Sequence, residues 1–266
     1  MIAKSILLPT QLEHFRTALQ PSAIEYMKIN ISSTAPSLIN SKLGGMPYLP
    51  EGAIHPRDER VEYMLLLAQV NFSEGLFPAP FPTKGLLQFF ISPFAYEQAL
   101  KTGGILTTTH FYVNYYRTLT TEDSVTDFTY LQHTSTHLFP LKRESPLSFS
   151  KKVEPVSATD YRLKQFISHE SMEAFTNLEH QPFQDVYLQY FSSADMKIGG
   201  YPYFIGEDIR GNNPALRTYD TLLLQIISDD ELGIMWGDSG VLKFFINRKK
   251  LERLDFSDIL LFTEDY

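Results

Sequence analysis

The sequence predicts an α+β fold: mainly antiparallel sheets with a few helices, built from two duplicated units about 155 residues apart and related by a pseudo-twofold axis. Three observations predict it. Lys42-Leu43-Gly44-Gly45-Met46-Pro47-Tyr48 returns as Lys197-Ile198-Gly199-Gly200-Tyr201-Pro202-Tyr203. Leu66 to Val70 returns as Leu222 to Ile226, and Gly85 to Ile91 returns as Gly240 to Ile246. Three blocks in one order at nearly constant spacing are the signature of an internal repeat, here 41–91 and 196–246.

In each Gly-Gly block the glycines mark a turn or a close backbone approach, and the proline fixes the exit direction. Leu65 to Val70 and Leu222 to Ile227 are short apolar runs rich in strand formers, the pattern of a strand covered on both faces. Gly85 to Ile91 and Gly240 to Ile246 are second strands, with aromatic residues entering the core. The connections 73–84 and 229–240 are long for hairpins, and long connections often carry function.

The flanks add the rest. Thr10-x-x-Glu13 and Ser22-x-x-Glu25 have capping-box spacing and predict two short helices separated by Pro21. Phe111 to Arg117, Leu147 to Val153 and Phe256 to Phe262 read as strands. Leu163, Phe166 and Ile167, then Met172, Phe175 and Leu178, have helical spacing, and Pro182 should break the second helix. Pro146 to Pro155 is the bridge between halves, yet Phe149 and Val153 make it a packed one. One integrated unit spanning 1–266 follows.

Composition narrows the function classes. There is no cysteine, which excludes thiolate catalysis and cysteine-rich metal sites. No run approaches the ~18 apolar residues of a membrane span, and the N-terminus is a poor signal peptide, so the expectation is a cytoplasmic protein without membrane contact. Net charge is −8, and the whole acidic excess falls in 156–266, which points away from nucleic acid and toward a basic protein partner. The sequence leaves the oligomeric state open.

On these blocks the chain resembles the YwqG-like family of bacterial proteins, a domain family of undefined function. The resemblance rests on Ser41 to Pro50, Leu66 to Phe72, Gly85 to Ile91, Gly199 to Phe204, Asp208, Arg210, Leu222 to Ile226, Met235-Trp236-Gly237-Asp238 and the tail Leu251 to Asp258. It implies a fold and a bacterial cytoplasmic setting rather than an activity. The chain departs from the family pattern at Met196, where relatives carry His, and at Gly206 and Ile209, where they carry Gln and Pro. Those departures imply a depleted polar site and weaken a catalytic reading.

No catalytic constellation is complete. Gly237-Asp238-Ser239-Gly240 resembles a serine-nucleophile turn, but no histidine sits in a partner motif. His133 and His137 have helical metal-ligand spacing, but Thr-Ser-Thr between them disfavours a helix, so no metal and no cofactor is expected. Gln69 and Gln225 interrupt equivalent apolar strands; each either binds a neighbouring loop or lines a groove on the pseudo-twofold axis. Asp208 and Arg210 read as an ion pair holding the second Gly-Gly loop, or as part of a site. Trp236 reads either as core or, with Asp238, as an exposed anchor. These six residues are the candidate ligand- or partner-binding set. The leading expectation is a non-catalytic protein-binding module, with an immunity or adaptor role as one version. The alternative is a hydrolase of glycans or small molecules, using carboxylates at 207–208 and 229–238.

Overall fold

The computed structural model describes residues 5–33, 35, 37–120, 122–177 and 179–266; Leu178 lies outside them. Eleven strands are described: β1 Ile24–Ile31, β2 Lys42–Leu43, β3 Leu65–Asn71, β4 Leu86–Ile91, β5 Ile105–Leu106, β6 Phe111–Tyr116, β7 Ser145–Glu154, β8 Lys197–Gly199, β9 Thr221–Ile227, β10 Val241–Ile246 and β11 Ile259–Glu264. They form one sheet in the order β5-β11-β10-β9-β8-β1-β7-β2-β3-β4-β6. Every pairing between them is antiparallel.

The long ribbon β1–β7 lies at the centre, with Ile24 opposite Glu154 and Ile31 opposite Leu147. A first arm (β2, β3, β4, β6) extends from β7, and a second (β8, β9, β10, β11, β5) extends from β1. The arms curl over one another into a near-closed barrel. Phe89 of β4 meets Phe244 of β10 edge-on, with ring centroids 4.9 Å apart, and Phe111 of β6 meets the same ring at 5.9 Å. β4 and β10 are covered on both faces and buried along their whole length, and they are apolar apart from Gln88 and Lys243.

Pairing within the arms follows a common pattern. Lys42 is opposite Gln69 in the first arm, and Lys197 is opposite Gln225 in the second. The β3–β4 ladder slips near Leu66/Ala68, and the β9–β10 ladder slips near Phe244/Phe245. Gly44, Gly45, Gly199 and Gly200 all have positive φ, between 63° and 79°. A side chain is strained in that region, so the Gly-Gly dipeptide is dictated by the backbone.

Helices are few and short. A second cluster, separate from the barrel core, packs the helix Phe183–Phe191 and the turn Leu163–Phe166 against the N-terminal turns through Leu12, Phe15, Leu19, Phe183 and Tyr187. No helix among the described residues is long and apolar enough to cross a membrane.

Four local expectations are corrected. Ser22-x-x-Glu25 caps no helix: Ser22 Oγ donates to Leu19 O (2.6 Å) and accepts from Val156 N (2.9 Å), and the chain enters β1 at Ile24. Thr10 opens a 3₁₀ turn, Thr10–Phe15, that no side chain caps. Pro182 does not end a helix but precedes Phe183–Phe191, where its missing N–H is harmless. The last strand starts at Ile259, and Phe256 packs on the core from the preceding loop. The bridge 146–155 is itself almost entirely strand, β7, at the centre of the sheet.

Candidate functional site

A cleft of about 630 Å³ opens between the stretch that follows β7 and the loop that follows β8. Two copies of one short motif, Asp160-Tyr161-Arg162 and Asp208-Ile209-Arg210, meet at its floor, which Asp160, Tyr161 and Asp208 line. Asp208 caps the single turn Ile209–Asn212 by accepting from Arg210 N at 3.0 Å. The Arg210 guanidinium then folds back onto the same carboxylate, with Nε donating to Oδ1 (3.0 Å) and Nη2 to Oδ2 (2.7 Å). Arg162 grips Asp160 in the same way, at 2.7 and 2.6 Å. Arg210 Nη2 also reaches Asp160 Oδ2 at 3.1 Å and joins the two motifs.

This cluster is buried, with Arg210 only 1% exposed and lying 4.7 Å from the Phe245 ring centre. Burial alone would push the Asp160 carboxyl up. The Arg162 hydrogen bonds, with the charges of Arg162 and Arg210, overcome that and hold it below its ordinary value. An ionised acid already committed to two guanidinium groups is a poor general acid or nucleophile. Removing one member would leave a buried charge alone, so the cluster pins the loop in place. Tyr161 N donates to Asp208 Oδ2 (3.3 Å), tying the two walls of the cleft together.

The glutamines do one job in two places. Gln69 Nε2 donates to Leu38 O (2.8 Å) and Asn40 O (2.7 Å), and its Oε1 accepts from Tyr48 N (3.2 Å). Gln225 Nε2 donates to Ser193 O (3.0 Å) and Asp195 O (2.9 Å), and its Oε1 accepts from Tyr203 N (2.8 Å). Each fully buried amide therefore clamps the loop before its Gly-Gly block to the tyrosine after it.

Trp236 is core. Its indole is 1% exposed and meets Tyr96 edge-on, 5.4 Å between centroids, while Asp238, two residues on, is exposed. Ser239, also exposed, has φ 60° in the turn leading to β10. Of the six candidate residues, Asp208 lines the cleft and Arg210 is bonded to it, while Trp236 lines a different hollow beside Tyr96. Gln69 and Gln225 sit in different arms, and Trp236 and Asp238 lie in the connection 229–240. Among the described residues no group of three or more His, Asp or Glu side chains is placed to hold a metal ion.

Several structural ionic residues were missed by sequence reasoning. Lys42 pairs with Glu144 at 2.8 Å, and Lys197 pairs with both oxygens of Glu154 at 2.9 and 3.0 Å. In each arm a Cβ on the second glycine, Gly45 or Gly200, would strike that carboxylate. The signal for the glutamates was absent, because they flank β7 far from the blocks. For Asp160 and Arg162 a signal existed: the Asp-x-Arg spacing recurs at 58–60, 160–162 and 208–210. At Asp58 the carboxylate accepts from Arg60 N, Glu62 N and Ser92 Oγ, again as a loop tie.

A family model described as a domain of unknown function (DUF1963) matches residues 41–264, which hold both Gly-Gly blocks, both clamp glutamines and the whole cleft floor. The chain belongs to this family. In this DUF1963 chain the YwqG-like blocks are the parts that shape the loops, and the motif residues bond mainly to backbone or to one another. No curated protein matches the chain.

Proposed function

We propose that this protein is a non-catalytic binding module that receives a basic protein segment across the cleft bounded by the two Asp-x-Arg motifs. One observation carries the reading: the acids of the cleft floor are neutralised by arginines, whereas the acids around its rim are exposed. Glu207 lines the cleft beside the exposed Lys164 and Arg217; Glu170, Glu173 and Asp185, chain neighbours of the lining residues Met172 and Gln184, add three more exposed acids around it. A rigid floor whose surrounding acids outnumber the two bases Lys164 and Arg217 suits electrostatic recognition of a cationic surface. An immunity or adaptor role in the bacterial cytoplasm is the version of this reading that fits the family setting.

The chain acts here as one integrated unit, its arms copies of a single ancestral unit about a pseudo-twofold axis. The matched Lys–Gln registers and the matched glutamine clamps support that reading. The alternative, hydrolysis by paired carboxylates, draws less support. Asp208 is spent on Arg210, and Asp229 caps its own turn by accepting from Leu232 N at 3.0 Å.

The test is capture of interacting proteins from the host at low and high salt. A folded variant carrying Glu170→Lys, Glu173→Lys and Glu207→Lys runs beside the native chain. The reading expects a basic protein recovered in near-equal amount by the native chain, lost at high salt and lost with the variant. A partner whose association ignores salt and charge reversal would overturn it. Turnover of a glycan or small ester abolished by Asp238→Asn would favour the hydrolase.

A further inference from the structure

The barrel is nearly closed but keeps a seam beside β6. Just past the end of β4, Ser92 N donates to His110 O at 2.8 Å, so His110 and the alternate residues Tyr112, Asn114 and Tyr116 turn their backbone groups toward β4. By the same alternation the N–H and C=O groups of Phe111, Val113 and Tyr115 point out of the sheet. Among the described residues nothing bonds to them, and β6 has no second neighbour in the sheet. These six backbone groups repeat along one line, about 14 Å from Phe111 to Tyr115 at strand rise.

The edge does not face open solvent alone. A slot of about 580 Å³ runs beside it, lined by the five consecutive residues 111–115 and, opposite, by Leu254, Asp255, Phe256, Ser257 and Ile259. Successive strand side chains point to opposite faces, so a cavity touching all five follows the backbone edge and not one face of the sheet. Phe256 stands 5.3 Å from Tyr115, centroid to centroid, and Tyr112 is 46% exposed at the rim. Asp255 is the one charged residue lining the slot, and its bonds from Ser257 N (3.1 Å) and Oγ (2.6 Å) hold its carboxyl below the ordinary range.

We propose that the outer edge of β6 docks an extended peptide segment of a partner protein as an added strand, with a Lys or Arg side chain of that segment against Asp255. Only an extended backbone presents donors and acceptors at the spacing of Phe111, Val113 and Tyr115, and apolar side chains at alternate positions would fill the slot toward Phe256. A second copy of the chain is the occupant that the test below tells apart. This site stands apart from the cleft and does not depend on the cleft's reading.

The probe is a phage-displayed library of random heptapeptides panned on the full chain, with the enriched peptide then synthesised. Enrichment of alternating apolar sequences carrying a basic residue is expected. The bound peptide should slow exchange of the Phe111, Val113 and Tyr115 amides, and Val113→Pro should weaken binding about tenfold or more, since proline removes an outward donor that the folded chain does not use. Should Val113→Pro not fold, N-methylation of alternate peptide residues must give the same loss with the native protein. Absence of enrichment would overturn the proposal, and so would a bound peptide that leaves those three amides unprotected. A native dimer dissociated by Val113→Pro would overturn it as well, by assigning the edge to a second copy.

Discussion

The two arms carry the same clamp, but they seal it differently. In the second arm Glu154 is enclosed: it takes both contacts from Lys197, a bond from Tyr201 N at 2.7 Å and one from Ser193 Oγ at 2.9 Å. In the first arm Glu144 meets Lys42 while its side chain remains 37% exposed, and it lines a largely apolar hollow with Phe128, Leu131 and Phe139. The arms differ again one strand further out. Gln88 of β4 donates to Tyr48 O (2.8 Å) and to Gln69 Oε1, leaving its own Oε1 without a partner among the described residues, whereas Lys243 of β10, at the matching register, pairs with Glu264. A shared backbone scheme therefore tolerates quite different electrostatics, provided each buried charge has its counter-charge.

The largest expected effect tests the sealing. Lys197→Met should cost about 3–5 kcal/mol in urea unfolding, because Glu154 is left charged in the interior. Lys42→Met should cost only about 1 kcal/mol, because water can reach the Glu144 that remains. Equal losses would erase the distinction between the arms.

The glutamine clamps predict the opposite pattern. Gln69→Leu and Gln225→Leu should each cost about 2–3 kcal/mol, since each strands two carbonyls and one backbone N–H that the amide had satisfied, and Gln69→Leu in addition frees one Gln88 side-chain N–H. A large inequality between them would mean that the clamps are alike in geometry only.

Between Gln88 and Lys243 the test is pH. Burial lowers the Lys243 pKa to about 8, despite the pull of Glu264 in the other direction. Between about pH 8 and 10 the unfolded chain then holds a proton at this lysine that the folded chain has released, so stability rises with pH across that window. Above pH 10 the trend turns, because Tyr96, Tyr201, Tyr203 and Tyr219 are all pushed up to about 12 and hold their protons longer in the folded state. Chemical denaturation of Lys243→Gln, the first arm's residue placed in the second, should lose the Lys243 part of the rise below pH 10 and keep the part due to Lys197, whose pKa burial also lowers.

The smallest effect is expected at the rim of the cleft. Glu170→Lys with Glu207→Lys should move the melting temperature by no more than about 2 °C, as these side chains are exposed. A larger drop would make the rim part of the scaffold.

The strands at the repeated blocks were legible because short apolar runs rich in strand formers and paired glycines have few other uses. Gln69 and Gln225 could be read as clamps because a buried amide demands about three partners. The β1 strand was not legible: Ser22-x-x-Glu25 satisfies the pattern of a helix cap, and only the pairing of Ile24 with Glu154 settles the matter against it. β2 and β8, of two and three residues, are too short to leave a periodic signal. The exposure of Trp236 depended on Tyr96 arriving from another part of the chain. The cleft floor was half visible, since Asp208 and Arg210 stood out while their partners at 160 and 162 drew no attention.

The central ribbon has a consequence for the order of events on the ribosome. The neighbours of β1 are β7 and β8, and those of β7 are β1 and β2. When Ile31 leaves the exit tunnel, neither neighbour of β1 has been translated, and the second is complete only with Gly199. The hairpin β3–β4 and its partner β6 can meanwhile form from adjacent chain. β1, the earliest strand of this chain to be synthesised, is thus among the last to find its place.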